Sequence, residues 1–139
     1  MSIINSMNLH IEAKSQNESF ARSVVASFFV QLNPTLEQIE DLKTAVSEAV
    51  TNCIVHAYDK AQQGEIVIAC NLSEKEIEVK ITDYGKGIAN IEKAMQPFYT
   101  TGEEGERSGM GFTVMQAFCD DVSVVSENGS TTVTLVKKV

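Results

Sequence analysis

Four short segments of this 139-residue chain alternate apolar and polar residues, a fifth (Glu65–Leu72) is mostly apolar, and this patterning narrows the possible folds most. In one of them, Ile77, Val79 and Ile81 alternate with charged residues. A period of two places the apolar side chains on one face of a strand. We therefore predict one mixed, mainly antiparallel sheet that is buried on a single face, with strands at Met7–Ala13, Glu65–Leu72, Glu76–Thr82, Asp121–Glu127 and Ser130–Lys138.

The helices predicted between these strands would pack on the buried face of the sheet. Thr35 and Gln38 have the spacing of a capping box, and the helix that follows should run from about Leu36 to Ala57. Its apolar stripe has helical spacing and comprises Ile39, Leu42, Val46, Ala49, Val50 and Cys53. The fold class that follows is α+β, a two-layer sandwich forming a single domain over residues 1–139.

Three further local features complete the predicted architecture. An earlier helix, capped by Asn17 and ending near Gln31, should bury Phe20, Val24 and Phe28, with Arg22 off that face. Helical patterns also occur at 91–96 and 112–118, and residues 100–111 read as a long loop. Asn128-Gly129 between the last two strands indicates a hairpin.

Composition excludes several classes of protein. The chain has 11 basic and 19 acidic residues, a formal net charge of −8, which argues against a general nucleic-acid or membrane binder. Its three cysteines lie far apart in apolar stretches, so we expect reduced, buried thiols rather than disulfides or a zinc site. No stretch approaches 18 apolar residues and no signal peptide is evident, so we expect a cytoplasmic protein.

The first candidate site motif lies on the long helix. Glu48 and Asn52 are one turn apart, so they present a carboxylate and an amide to the same space. An amide oxygen suits magnesium, which prefers oxygen ligands, and a nearby carboxylate can accept a proton from an attacking hydroxyl. Taken alone, the same pair is also typical of a solvated helix edge.

The second motif follows a predicted strand. In Asp83-x-Gly85-x-Gly87 the glycines permit a tight turn and close approach of a ligand to the backbone, and Asp83 can accept a hydrogen bond from the amine of adenine. Asn90 occupies the position where a dinucleotide fingerprint requires a third glycine. A simple turn remains an alternative reading.

The third motif opens the helix at 112–118. It reads Glu106-Arg107-Ser108-Gly109-Met110-Gly111-Phe112. Glycines before a helix leave N–H groups free to meet phosphates, and the arginine can add a charge-assisted contact to the terminal phosphate. A glycine-rich helix start is common, but the three motifs in this order fit a single bound nucleotide.

In this order the motifs resemble the three ATP boxes of the GHKL superfamily, which includes gyrase, histidine kinases and MutL. The boxes are Glu48-Ala-Val-Thr-Asn52, Asp83-Tyr-Gly85-Lys-Gly87 and Gly109-Met-Gly111-Phe112. Within it, the chain resembles the bacterial anti-sigma factor serine kinases, and most closely their sporulation (sigma F) branch, nearly end to end. Segment 17–22, Gln96-Pro97 and Thr100-Thr101 contribute to that closer match.

This resemblance implies a homodimer that inhibits a sigma factor and uses ATP and Mg²⁺ to phosphorylate a serine on its anti-anti-sigma antagonist. Glu48 would be the catalytic base, Asn52 the magnesium ligand and Arg22 part of the partner-binding surface. The residues implied in ATP binding are Asn52, Asp83, Gly85, Gly87, Arg107, Ser108, Gly109, Met110, Gly111 and Thr131.

Three other functions stay open at this point. The first is an ATP-gated binding module without catalysis, although such a module has no use for a base at Glu48. The second is a stress-response anti-sigma kinase of the same family. The third, a histidine kinase catalytic domain, is disfavoured because the two histidines, His10 and His56, fall on a predicted strand and on the ATP-binding helix.

Overall fold

The computed structural model describes residues 2–57, 64–85, 111–127 and 129–139. Its strands are β1 (Asn5–Glu12), β2 (Glu65–Leu72), β3 (Glu76–Asp83), β4 (Asp121–Glu127) and β5 (Ser130–Lys138). Its α-helices are α1 (Gln16–Phe29), α2 (Leu36–Asn52) and α3 (Gly111–Phe118). A 3₁₀ turn (Val30–Leu32) follows α1, and a short π-helix (Cys53–Ala57) continues α2. The predicted helix at 91–96, the turn at 62–63 and the loop at 100–110 lie outside the described residues.

The five strands form one sheet in the order β1-β2-β3-β5-β4, and every pairing among them is antiparallel. The inward apolar side chains of the three central strands, including Ile66, Ile81 and Leu135, are buried. Residues on the opposite face are partly or fully exposed. The predicted α+β fold, with helices on one face of a mainly antiparallel sheet, is therefore confirmed.

Helix α1 departs from prediction in two respects. Its N-cap position is Ser15 rather than Asn17, which lies in the first turn and whose side chain donates to the carbonyl of Glu12 at 2.9 Å. Its buried residues are Ala21, Val25 and Phe29, one position beyond the predicted set of Phe20, Val24 and Phe28. Phe20 is 52% exposed. Both sets have the same spacing, so the surface of α2 selects between them.

Helix α2 begins as predicted. Thr35 accepts a hydrogen bond from the Gln38 backbone, and the Gln38 side chain accepts one from the Thr35 backbone, completing the capping box. The buried face comprises Leu42, Ala45, Val46, Ala49 and Val50, while Ile39 is partly buried. Helix α2 packs against both α1 and α3 and so forms the centre of the helical layer.

The hairpin between β4 and β5 also forms as predicted. Gly129 has a φ of 81°, a left-handed conformation that favours glycine over any residue with a Cβ atom. Ser126 and Thr131 pair next to this turn, with their hydroxyl oxygens 2.7 Å apart. The turn thereby fixes the register that carries Thr131 to the inward face of the sheet.

Candidate functional site

Helix α2 carries two of the predicted site residues at its C-terminal half. Glu48 and Asn52 are partly buried and lie one turn apart, flanked by the buried Ala49, Val50 and Cys53. The apolar neighbours anchor this edge of the helix in the core. The two polar side chains are therefore presented from a rigid element, which a ligand site requires.

The carboxylate of Glu48 faces helix α1. Burial, together with the negative charge of Glu18, raises the pKa of Glu48 above its ordinary value. Glu18 in turn lies beside Arg22, with 3.6 Å between its Oε2 atom and the arginine Nε. That Oε2 atom is buried and accepts no hydrogen bond. An elevated pKa moves a carboxylate toward the range in which it accepts a proton effectively near neutral pH.

A cavity of about 310 Å³ adjoins Glu48 between α1 and α2. Its lining is polar and comprises Arg22, Glu40, Lys43, Thr44, Ser47 and Glu48. The structure thus brings the predicted base and the predicted partner-binding arginine to one cavity. Two cations and two carboxylates line it, so a polar segment of a second molecule suits it better than an apolar one.

Asn52 contacts the first residue of α3. A Cβ atom built on Gly111 would lie 3.0 Å from the Nδ2 atom and 3.5 Å from the Oδ1 atom of Asn52. A side chain at position 111 would therefore require the Asn52 amide to move, whereas glycine allows the start of α3 to come this close to it. The backbone N–H groups of a helix start and an amide side chain meet here, a combination that suits phosphate and its accompanying cation.

A change of helix type marks the same place. Immediately after Asn52, the helix continues as the π-helix Cys53–Ala57. Single π-turns are rare and occur often at functional sites, where they redirect a side chain. The sequence pattern predicted the helical span to Ala57 but not this widening of its last turn.

Asp83 and Thr131 form the second part of the candidate site. Both residues are buried, with 6% and 4% exposure, and they are direct partners on β3 and β5. The Oδ1 atom of Asp83 accepts a hydrogen bond of 3.0 Å from the backbone N–H of Gly85. This bond closes the turn after β3 and orients a carboxylate that would be costly to bury without polar partners.

The residues present fit a magnesium nucleotide. The glycine at position 111 leaves beside Asn52 the space that a Cβ atom would fill, and Asp83 supplies a buried acceptor for an amine. Gly87, Arg107, Ser108, Gly109 and Met110 lie outside the described residues. Within the described ranges, no group of three or more His, Cys, Asp or Glu side chains is arranged to hold a metal ion. An ion held by one amide and by phosphate oxygens is compatible with that finding.

Two residues with evident roles were absent from the predicted site. Glu18 acts on Glu48, and its only sequence signal is its i, i+4 spacing with Arg22. Ser126 contacts Thr131 through its hydroxyl group, and the hairpin register is the signal that places it there. The contact between Glu18 and Glu48 crosses between two helices, so no local pattern of the chain reveals it.

In the part of the chain that the structure describes, no helix is long and apolar enough to cross a membrane.

Residues 11–137 match the family described as the histidine kinase-like ATPase domain. The chain is 54% identical to the anti-sigma F factor of Thermoanaerobacter sp. (strain X514), covering 99% of this chain and 96% of that protein. It is 52% identical to the anti-sigma F factor of Clostridium acetobutylicum, covering 96% and 93%.

Solved structures show the same fold at low identity. The RsbU and RsbW domains of a Mycobacterium tuberculosis protein give a TM-score of 0.70 at 18% identity, covering 96% of this chain and 31% of that one. This chain thus spans about a third of that structure. The histidine kinase domain of a blue-light activated kinase from Erythrobacter litoralis gives a TM-score of 0.54 at 17% identity, covering 86% and 60%. At these identities the similarity concerns the fold alone.

Proposed function

Because this chain belongs to the anti-sigma F factors, which are built on a histidine kinase-like ATPase domain, we propose that it inhibits a sigma factor of the sigma F type and is also an ATP-dependent protein serine kinase. Its substrate would be a serine of the anti-anti-sigma antagonist. Phosphorylation would inactivate that antagonist and leave the sigma factor inhibited.

The observation that carries the kinase proposal is the contact between Asn52 and Gly111, with Glu48 one turn earlier on α2. This contact joins the first and third sequence motifs in space, as one nucleotide site requires. Asn52 would hold the magnesium ion, whose chemistry is to neutralise phosphate charge. Glu48 lies close enough along the same helix edge to serve the same reaction.

Phosphoryl transfer would proceed by in-line displacement. The serine oxygen of the antagonist forms a bond to the γ-phosphorus, the bond from that phosphorus to the β,γ-bridging oxygen breaks, and ADP leaves. The serine proton passes to the carboxylate of Glu48. Burial and the charge of Glu18 raise the pKa of Glu48, and this favours proton acceptance.

Recognition of adenine would rest on Asp83. Its buried carboxylate can accept a hydrogen bond from the exocyclic amine, and Thr131 lies directly opposite on β5. Gly85, whose N–H group donates to Asp83, fixes the orientation of that carboxylate. Gly87, Arg107, Ser108, Gly109 and Met110 complete the proposed nucleotide site, with the backbone and the arginine meeting the phosphates.

Partner binding would use the surface around Arg22. This residue lines the cavity next to Glu48, so a partner docked there would place a polar segment beside the proposed base. We propose that sigma factor and antagonist compete for this surface, that the protein acts as a homodimer, and that it works in the cytoplasm.

The test is transfer of γ-labelled phosphate from ATP to a purified anti-anti-sigma protein, with Glu48→Gln compared with the wild-type chain. Glu74→Gln provides a matched control, because Glu74 is exposed in the turn between β2 and β3. We expect label on a serine of the antagonist with wild type and Glu74→Gln, and loss of transfer with retained ATP binding in Glu48→Gln.

Three results would each contradict a part of the proposal. Transfer by Glu48→Gln at the wild-type rate would remove Glu48 from the role of base. ATP binding by the wild-type chain without transfer to the antagonist would indicate instead a non-catalytic, ATP-gated module. Transfer to the antagonist of a stress-response sigma factor, in preference to the sporulation type, would assign the chain to that other branch.

A further inference from the structure

One partly buried lysine connects the C-terminal end of α3 to two other elements. The Nζ atom of Lys137, on β5, donates to the carbonyl oxygen of Phe118 at 2.7 Å and lies 3.3 Å from the Oδ2 atom of Asp41 on α2. Only 12% of the Lys137 side chain and 25% of the Asp41 side chain are exposed. We call these three groups the Lys137 anchor.

The three groups of the Lys137 anchor are chemically complementary. Lysine is among the residues least often buried, and it requires partners when it is. Phe118 is the last residue of α3, where unpaired carbonyl groups and the helix dipole favour a cation. Asp41 supplies the balancing negative charge from α2. One ammonium group therefore joins α2, α3 and β5.

The Lys137 anchor lies at the opposite end of α3 from the candidate nucleotide site. Helix α3 has 8 residues and is therefore about 12 Å long. Its first residue, Gly111, lies against Asn52, and its last residue meets Lys137 beside Asp41. Asp41 and Asn52 are about 16 Å apart along α2. Helix α3 thus runs along α2 in the opposite direction and is held near both ends.

The two further polar contacts described at this corner do not involve α2. The backbone N–H of Asp120 donates to Val136, and the Asp120 carboxylate accepts from the backbone of Lys138. Both contacts attach the chain after α3 to β5. Among the polar contacts described at this corner, the Lys137 side chain is the one that also reaches α2. It therefore contributes to the position of α3 along α2, together with the apolar packing between the two helices.

We propose that Lys137 is a positioning residue for nucleotide binding: it fixes α3 along α2 so that the Gly111 backbone stays against the Asn52 amide. The inference rests on the proposed nucleotide site. A short helix moves as a rigid rod, so loss of the contact at Phe118 shifts its other end. Groups that form a binding site must be held within about 0.5 Å of the productive geometry, so a small displacement of α3 weakens the site.

The experiment compares the affinities of four folded proteins for a fluorescent ATP analogue with Mg²⁺, and measures thermal unfolding without nucleotide in parallel. Lys137→Met removes the charge at similar length, and Lys137→Arg retains it. Lys138→Met is the matched control, because Lys138 is exposed and points to the opposite face of the sheet. We expect Kd to rise about tenfold in Lys137→Met, to stay unchanged in Lys138→Met, and to recover in part in Lys137→Arg.

A merely structural role predicts a different result. Lys137→Met would then unfold at lower temperature while its Kd, measured well below that temperature, equals that of wild type, and the inference would be overturned. If Lys137→Met does not fold, the variants Asp41→Asn and Lys137→Arg replace it in the test. A Kd equal to that of wild type in both variants overturns the inference. A several-fold rise of Kd in Asp41→Asn supports it. Failure of the wild-type chain to bind the analogue would instead overturn the proposed nucleotide site itself.

Discussion

The amide of Asn52 lies so close to Gly111 that a Cβ atom at position 111 would be 3.0 Å from its Nδ2 atom. This contact joins the end of α2 to the start of α3. Real Cβ atoms tolerate such a distance only if the neighbour moves, and here the neighbour is the proposed magnesium ligand. A methyl group at position 111 would therefore disturb the candidate site more than it disturbs the hydrophobic core.

Gly111→Ala is the first prediction. Alanine favours the helix by about 1 kcal/mol over glycine, so helix propensity alone would stabilise the variant. We expect instead that the affinity for Mg²⁺-ATP falls by at least about tenfold, because the added methyl group displaces Asn52. Isothermal titration of wild type and variant would measure the change.

Gly129→Ala is the matched control for that prediction. Its Cβ atom would meet nothing within 4 Å, but its φ of 81° is unfavourable for alanine. We expect a loss of stability of about 1 kcal/mol with nucleotide affinity retained. Equal nucleotide affinities of wild type and Gly111→Ala would contradict the role assigned to the Asn52–Gly111 contact.

Asp83→Asn should separate nucleotide recognition from folding. An asparagine at this position can still accept the hydrogen bond from Gly85 through its carbonyl oxygen, so the turn after β3 should persist. Its amide nitrogen, unlike a carboxylate oxygen, cannot accept from the amine of adenine. We expect ATP affinity to fall by at least about tenfold with little change in the unfolding midpoint, which titration and circular dichroism would measure. Unchanged ATP affinity would exclude Asp83 from adenine recognition.

Glu48→Gln should stabilise the protein at pH 7. Burial and the charge of Glu18 raise the pKa of Glu48 above 4.5, so the folded state favours the protonated form. Protonated Glu48 contributes its full stabilisation at pH values below its pKa in the unfolded state. That contribution is lost as the pH rises through its higher pKa in the folded state. At pH 7 the charged side chain therefore destabilises the fold, as is common for functional residues.

Thermal unfolding as a function of pH would check this prediction. The midpoint of Glu48→Gln should exceed that of wild type at pH 7, and the difference should shrink as pH falls toward 4.5. Glu37→Gln, exposed in the first turn of the same helix, should show no such gain. A lower midpoint for Glu48→Gln at pH 7 would show that the carboxylate stabilises the fold.

Cys70 and Cys119 should react slowly in the folded protein. Burial raises the pKa of the Cys70 and Cys119 thiols to about 12, and at Cys119 the nearby Lys137 only partly opposes this. Since the thiolate is the reactive form, alkylation at pH 8 should be at least about a hundredfold slower in the native than in the unfolded protein. Peptide mass spectrometry after timed iodoacetamide treatment would measure both rates. Rapid labelling of native Cys119 would show that its thiol is not protected.

Much of the fold could be predicted because its signals are local. The alternation in β3 and β5 and the capping box at Thr35 each lie within a few consecutive residues. The buried face of α1 could not be predicted, because Phe20, Val24 and Phe28 satisfy the same period as Ala21, Val25 and Phe29. Packing against α2 decides between them, and it places the small Ala21 inside and Phe20 outside.

Some features of the candidate site could likewise be predicted from the sequence, and others could not. The order of the motifs, their glycines and the one-turn spacing of Glu48 and Asn52 are properties of the sequence alone. The approach of Glu18 to Glu48, and of Lys137 to Asp41 across 96 residues of chain, are properties of the packed structure. A local pattern fixes which residues share the face of one helix or strand. The tertiary structure alone determines which faces meet, because that depends on how all the apolar faces are buried together.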